Sequence, residues 1–180
     1  MAFVPDTKTF TNSVLDSSDI NAFIRDPIRF LLNKPIAELR QTVAQSLASG
    51  AWQSLTFTTE DVDTDPAGTG GHSNSVNTSR YTAVYAGWYL CSGGVGFDAS
   101  AVGDRGIRWM VNGTAVLGSG VFLATSPLLT TLVPARVKRI LLNLGDYLEM
   151  QAWQDTGGAL NTNVSGENQS SMSIAWDRVA

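Results

Sequence analysis

Short strands separated by explicit turn signals are the feature of this sequence that most constrains its fold. In "YLEMQAW", Leu148, Met150 and Ala152 alternate with other side chains, which is typical of a half-buried strand. Asn112-Gly113 indicates a two-residue hairpin turn, because both residues tolerate positive φ angles. The pattern predicts strands near residues 40–47, 53–58, 80–84, 87–97, 106–112, 115–123, 136–143, 146–154 and 171–178. Consecutive strands with no helix between them predict an all-β antiparallel sandwich or barrel.

The first 35 residues follow a different pattern. Residues 1–15 have the Thr-rich character of an extended arm, and "DSSDINAFIRDPIRFLLNK" follows with apolar side chains at helical spacing. Because the residue before a proline resists the helical conformation, we expect Asp26-Pro27 to start a second short helix. The sequence thus predicts an N-terminal arm and helical anchor (residues 1–35) before a β domain (residues 36–180). The anchor stripe comprises Ile20, Phe23, Ile24, Ile28, Leu31 and Leu32.

Charge and hydropathy exclude two classes of partner. The net charge is -4 and the basic residues are scattered, which argues against binding to nucleic acid. No apolar window approaches the roughly 20 residues that a membrane span needs, so we expect no membrane insertion. Cys91 is the single cysteine, and its apolar neighbours in "GWYLCSG" predict a buried thiol.

The segment "TDPAGTGGHSNSVNTSR", residues 64–80, looks most like a site. It contains His72, the single histidine, but no lysine follows its glycines and its continuation is a strand, so it lacks the context of a phosphate loop. The chain also lacks a Gly-x-Ser-x-Gly elbow and any recognisable pair of catalytic acids. We expect a non-enzyme without catalytic residues or cofactor, in which His72 bonds the backbone of its own loop.

Three carboxylates precede this segment at alternate positions. On an extended strand, Asp61, Asp63 and Asp65 would point to one side, and carboxylate oxygens suit calcium. Pro66, however, stands where an EF-hand loop would need glycine. A solvated acidic turn is therefore the favoured interpretation, with a structural calcium ion as the alternative.

Several segments taken in order resemble a known superfamily. "RYTAVYAGWYLCSGGVGF", "IRWMVNG" and "LGDYLEMQAWQDTG" resemble the jelly roll of the tumour necrosis factor and complement globular-head superfamily. The front end, with "TFT", "DINAFIRDPIRFLL" and "W..LTF....D.D....H", resembles the N-terminal module of bacteriophage tail-fibre and minor tail proteins. The resemblance extends from about residue 8 to residue 176.

This resemblance implies a homotrimeric jelly roll in a bacteriophage virion. Its head would attach the tail fibre or tail tip to the host, and its N-terminal arm would bind other virion proteins. A capsid decoration or head-fibre protein is the alternative within this class, and a free carbohydrate-binding module is the alternative outside it. Aromatic side chains are enriched at subunit interfaces, so we predict Tyr147, Gln151 and Trp153 on the outward phase of their strand as trimer contacts.

In such a jelly roll both termini lie at the base, so alternate connections should lie at the far end. We expect these to be residues 59–79, 98–105, 124–135 and 155–169, and the last of them is rich in Asn, Gln, Gly and Thr, which suits hydrogen bonding to a host cell-surface glycan. An ordinary flexible loop would have the same composition. The candidate distal-loop residues are His72, Asn74, Asp98, Asp104, Asn161, Asn163 and Asn168.

Overall fold

A computed structural model of the chain describes residues 16–125 and 129–180. The described part is mainly antiparallel β-structure, which confirms the predicted fold class. Its strands are β1 (Ile36–Arg40), β2 (Ser46–Leu47), β3 (Gln53–Ser54), β4 (Thr59–Thr64), β5 (Arg80–Thr82), β6 (Gly87–Phe97), β7 (Asp104–Val111), β8 (Thr114–Ala115), β9 (Val121–Ala124), β10 (Thr131–Pro134), β11 (Lys138–Leu142), β12 (Tyr147–Gln154), β13 (Leu160–Asn161) and β14 (Ser171–Arg178).

The strands form two main sheets that pack face to face. In the first sheet the order is β4, β1, β14, β6, and both β10 and β11 pair with the remaining edge of β6. In the second sheet β12 lies between β7 on one edge and β3 and β5 on the other, while β8 and β9 pair with the far edge of β7. The short strands β2 and β13 form a separate pair.

The core fills the space between the two sheets. Inward residues alternate along each long strand, as in β14, where Met172, Ile174 and Trp176 are buried. Cys91 on β6 lies in this core, and its burial raises the pKa of the thiol to about 12. The thiol is therefore neutral and enclosed, as the sequence predicts.

Strand register defines the two ends of the sandwich. Ile36 at the start of β1 lies opposite Ala175 near the end of β14, so we name this end the base and the opposite end the distal end. The hairpin at Asn112-Gly113 lies at the base, with φ angles of 49° and 77° that match the predicted turn.

Some predicted strand bounds are wrong. The expected strand over residues 40–47 is divided, because β1 ends at Arg40 and the chain turns before β2. The expected strand over residues 115–123 is likewise divided into β8 and β9. Strand β4 was not predicted, because its residues "TEDVDT" are polar, as suits an exposed sheet edge.

A continuous helical segment precedes the first strand. It comprises α1 (Ser17–Ile20), a π-helical turn (Asn21–Arg25) and α2 (Asp26–Leu32). A second helix starts at Asp26-Pro27, as predicted, but the chain does not leave the helical conformation before it: Asp26 has helical φ and ψ angles of -70° and -38°, and its N–H donates to Asn21 O. Pro27 follows the π-turn, where the regular i to i−4 hydrogen-bond ladder is already interrupted.

Phe30 attaches this helical segment to the base of the sandwich. Its ring packs edge-on against Tyr85 and Trp176, with centroid separations of 5.2 and 4.8 Å. Phe30 was not part of the predicted anchor stripe, whose side chains, apart from the half-buried Phe23, are 44 to 81% exposed: Ile20, Ile24, Ile28, Leu31 and Leu32. Across residues 16–125 and 129–180, no helix has the length and apolar character to cross a membrane. The predicted extended arm, residues 1–15, lies outside the described residues.

Candidate functional site

The glycine-rich segment after β4 is organised around the carboxylate of Asp65. This buried carboxylate accepts hydrogen bonds from the backbone N–H groups of Gly68, Thr69 and Gly70 at 2.9, 3.0 and 2.7 Å. Thr69 Oγ1 donates a further bond at 2.7 Å. Burial alone would raise the pKa of Asp65, but these bonds outweigh it and lower the pKa. The backbone N–H groups of this glycine-rich segment therefore bind the carboxylate of Asp65 and do not form a phosphate loop.

The three aspartates of the calcium alternative have separate partners. Asp63 accepts the N–H groups of Gly71 and His72 at 2.9 and 2.8 Å. Asp61 instead forms an exposed ion pair with Arg40 on β1. Within residues 16–125 and 129–180, no group of three His, Cys, Asp or Glu side chains is placed to hold a metal ion. The carboxylates of Asp63 and Asp65 order the loop instead.

His72 links the connection between β4 and β5, residues 65–79, to both sheets. Its imidazole is buried, with Nδ1 2.8 Å from Glu60 Oε1 on β4 and Nε2 3.1 Å from Thr78 O. The two partners are a carboxylate oxygen and a backbone carbonyl oxygen. The backbone of His72 also pairs with Tyr81 on β5 of the second sheet. Both ring nitrogens are thus used in structural contacts.

The connection between β4 and β5 begins at the base, so the expectation that it lies wholly at the distal end is wrong. Asn33 Nδ2 donates to Asp65 O at 2.8 Å, and Pro66 lines a surface cavity of about 190 Å³ together with residues of α2. Because β4 carries the chain back from the distal end to the base, the connection then ascends along the side of the sandwich. His72 and Asn74 lie on this side.

The other distal-loop candidates lie at the distal end and are bonded to neighbouring loops. Asp98 N–H donates to Asn161 O at 3.0 Å, and Asn163 N–H donates to Gly96 O at 2.8 Å. Asn168 Nδ2 donates to Thr130 Oγ1 at 2.6 Å. Asp104 begins β7 beside them, where its N–H donates to Asp155 Oδ1. These hydrogen bonds join the loops at the distal end to one another.

Exposed leucines line the outward face of the first sheet. Leu90 on β6 is 40% exposed and Leu141 on β11 is 43% exposed. Leu141 lies directly opposite Trp88, and Leu90 lies opposite Ala175 on β14. We name the surface formed by these four residues, Trp88, Leu90, Leu141 and Ala175, the leucine face. Neighbouring apolar side chains on an outward sheet face are typical of a surface that another chain covers.

The predicted trimer contacts lie on the outward face of the second sheet. The ring of Tyr147 lies 4.0 Å below the guanidinium of Arg80. Gln151 Oε1 accepts two hydrogen bonds from Arg108, at 2.9 Å from Nε and 2.7 Å from Nη2. Each of these side chains is already in contact within its own protomer, and they face away from the first sheet.

Trp153 belongs to a cluster of three aromatic rings on that same face. Its ring centroid lies 6.3 Å from that of Trp52 and 5.5 Å from that of Phe122, and the latter two are 5.7 Å apart. We name Trp52, Phe122 and Trp153 the aromatic triangle. Register places Gly106 between Trp153 and Phe122, where a Cβ would lie 2.8 Å from the Phe122 ring. The triangle therefore depends on glycine at position 106.

Known structures share this architecture. No protein-family profile matches the chain, and no curated protein sequence matches it. The globular domain of zebrafish complement 1qA protein superposes with a TM-score of 0.58 at 12% identity, covering 82% of this chain and 99% of that chain. Murine APRIL gives 0.58 at 9% identity over 79% and 98% of the two chains. Eiger TNF from S. frugiperda gives 0.55 at 12% identity over 82% and 96%.

The chain has the TNF/C1q-like jelly-roll fold. This finding agrees with the jelly-roll part of the resemblance seen in the sequence motifs. At 9 to 12% identity the likeness shows the fold alone.

Within this TNF/C1q-like fold, sequence reasoning identified Trp153 but missed the leucine face and the other two rings of the aromatic triangle. A signal for the leucine face was present. In "GWYLCSG" and "RILLNL" both the inward and the outward positions are apolar, which indicates a strand covered on both sides. Trp52 and Phe122 gave no comparable signal, because they come from short strands or loops whose register the sequence does not define.

Proposed function

We propose that this chain is a non-enzymatic structural protein of a bacteriophage virion, in which a homotrimeric jelly-roll head attaches the particle to its host. The observation that carries the self-association is the leucine face, and the virion role is proposed from the resemblance of the N-terminal motifs to bacteriophage tail proteins. Leu90 and Leu141 are each about two-fifths exposed on the outer side of a well-packed sheet. Burying a fully exposed leucine side chain contributes roughly 1.5–3 kcal/mol, so covering the exposed two-fifths of each leucine would contribute about 1 kcal/mol toward self-association.

The leucine face suits self-association better than the predicted contacts at Tyr147, Gln151 and Trp153. Arg139 lies directly opposite Leu90 and forms an ion pair with Asp177 at 2.8 Å within the protomer, while Arg178 lies opposite Trp88 at the base side of the face. Covering the leucines would therefore leave no unpaired charge at this pair. Three copies are proposed because the sequence motifs resemble the trimeric superfamily.

The helical stripe supports attachment to another virion protein. Phe30 holds α2 against the base, while Ile24 and Ile28 remain 44 and 49% exposed on the same helical segment. A short amphipathic segment with one face uncovered is typical of helix-in-groove binding. Because the stripe lies at the base, the distal end would point away from the particle. The same arrangement would serve a capsid decoration or head fibre, and without a particle it would suit a free carbohydrate-binding module.

A non-catalytic role is supported by the state of the two residues best suited to catalysis. Both nitrogens of His72 are engaged with Glu60 and Thr78. Cys91 is buried in the core with its pKa raised to about 12 by burial, so its thiolate form is scarce near neutral pH. Neither side chain is both accessible to a substrate and activated as a base or nucleophile.

Immunogold labelling of purified virions tests the particle assignment. We expect label at the tail of particles carrying the parent chain and loss of label from Ile24→Asp/Ile28→Asp particles. Leu117→Asp, at a 90% exposed position on the β8–β9 connection, serves as the matched control and should keep the label. Label on heads alone would move the protein to the capsid, and absence from all particles would contradict the virion role.

A further inference from the structure

We propose that the aromatic triangle and a neighbouring row of polar side chains bind a pyranose ring of a host cell-surface glycan. This polar row comprises Ser54, Arg108 and Gln151. This inference rests on the proposed attachment function and assigns that function a surface. A pyranose has a face of C–H groups and an edge of hydroxyl groups. Its recognition needs an exposed aromatic surface next to planar hydrogen-bonding side chains, and the second sheet presents both.

The aromatic part has the dimensions of one sugar ring. The three centroids of Trp52, Phe122 and Trp153 are separated by 5.5 to 6.3 Å, so the rings form a compact patch rather than a long groove. Phe122 is 57% exposed at the edge of this patch. Edge-to-face contacts hold the rings in position, since Phe122 meets Trp52 at 70° and Trp153 at 79°.

The polar row lies next to the aromatic triangle on the same face, because Gln151 is two residues before Trp153 on β12. Gln151 is opposite Arg108 on β7 and opposite Ser54 on β3, so the three side chains cross the sheet in register. Arg108 uses Nε and Nη2 on Gln151 Oε1 and stacks its guanidinium 4.3 Å from the Trp52 ring centroid. Among the described residues no acceptor contacts its Nη1. A planar, oriented guanidinium can donate to adjacent hydroxyl or carboxylate oxygens of a sugar.

The position and the small size of the aromatic triangle favour a glycan over a protein as its partner. The triangle is near the distal end of β12, where Trp153 lies opposite Gly106, and it is on the opposite side of the sandwich from the leucine face. In the proposed trimer it would face outward in three copies, which suits weak binding strengthened by avidity. Stable protein interfaces need about 800 Å² per partner. Here the aromatic patch is small: the polar row borders it, and the ion pair of Arg80 with Glu149 follows further along β12.

An array of purified bacterial polysaccharides and lipopolysaccharides tests this site. The parent protein, Phe122→Ala, Gly106→Ala and the control Leu117→Ala are each applied, with thermal unfolding used to confirm that every variant is folded. We expect the parent to bind some spots, and both triangle variants to lose about tenfold in apparent affinity, the equivalent of roughly 1.4 kcal/mol of stacking. Leu117→Ala should bind like the parent.

Periodate oxidation of duplicate spots identifies the ligand chemistry, because it cleaves the vicinal diols of sugar rings. Binding that disappears after oxidation supports a glycan ligand. Failure of the parent to bind any spot would overturn the proposal, as would binding that survives in both triangle variants or on oxidised spots. The attachment function is judged separately by binding to intact host cells, so that periodate-resistant cell binding would refute this site while leaving attachment in place.

Discussion

His72 Nδ1 lies 2.8 Å from Glu60 Oε1, and this contact holds the β4–β5 connection against the edge of the first sheet. We predict that His72→Ala lowers the free energy of unfolding by about 1–3 kcal/mol, because Glu60 and the carbonyl of Thr78 both lose a buried partner. Urea titration at one fixed protein concentration measures this. The matched control is Asn74→Ala, an exposed change in the same connection. Equal stability of the two variants would contradict the role of His72.

Asp65 makes part of the stability dependent on pH. Burial opposes its ionisation, but hydrogen bonds from Thr69 and the loop N–H groups lower its folded-state pKa below the unfolded value of about 3.9. Its contribution is therefore complete above pH 3.9 and is lost as the pH falls through the folded-state pKa. We expect Asp65→Asn to have a lower Tm than the parent at pH 7, with the difference shrinking between pH 5 and pH 2.5. A difference that stayed constant over this range would contradict the ionised role.

The Asn112-Gly113 hairpin should be sensitive to a single methyl group. Gly113 has a φ of 77° and no crowding neighbour closer than 3.5 Å to an added Cβ, so Gly113→Ala tests backbone strain almost alone. We predict a loss of about 1 kcal/mol of unfolding free energy. Gly120→Ala, where the space is open and φ lies outside the positive region, should change stability little. The same denaturation assay compares them, and equal losses would count against the turn assignment.

Phe30 should contribute to the stability of the β domain as well as to the helix. Phe30→Ala removes ring contacts with Tyr85 and Trp176 and should cost about 3 kcal/mol. Leu32→Ala, at an 81% exposed position in the same helix, should cost less than about 0.5 kcal/mol. Thermal unfolding followed by near-ultraviolet circular dichroism measures both. If Phe30→Ala left the unfolding of the β domain unchanged, the helix would not be part of the same core.

The strength of each local pattern explains which elements the sequence predicted well. β6 and β14 were predicted with their observed bounds, because each is long and central and alternates around buried residues such as Tyr89 and Ile174. β4 and β10 were missed because edge strands need no apolar alternation, and β10 even ends in Pro134. Missing β4 then misplaced the connection that carries His72.

Contacts between side chains on different strands were harder to predict than the strands themselves. The alternation in "YLEMQAW" correctly placed Trp153 on an outward face. It could not show that Trp52 and Phe122, far apart in sequence, would meet this ring over Gly106. The helical continuity past Pro27 was also unpredictable from local rules, because it depends on a π-turn that changes the hydrogen-bond register.

The most direct test of the central claim is the mass of the protein in solution, measured by sedimentation equilibrium across a range of concentrations. We predict three times the protomer mass for the parent and for Trp153→Ala, and the protomer mass for Leu90→Arg, which places a charge in the leucine face. A parent that sediments as a stable monomer would contradict the trimer. A trimer that tolerates Leu90→Arg but dissociates with Trp153→Ala would place the interface on the second sheet instead.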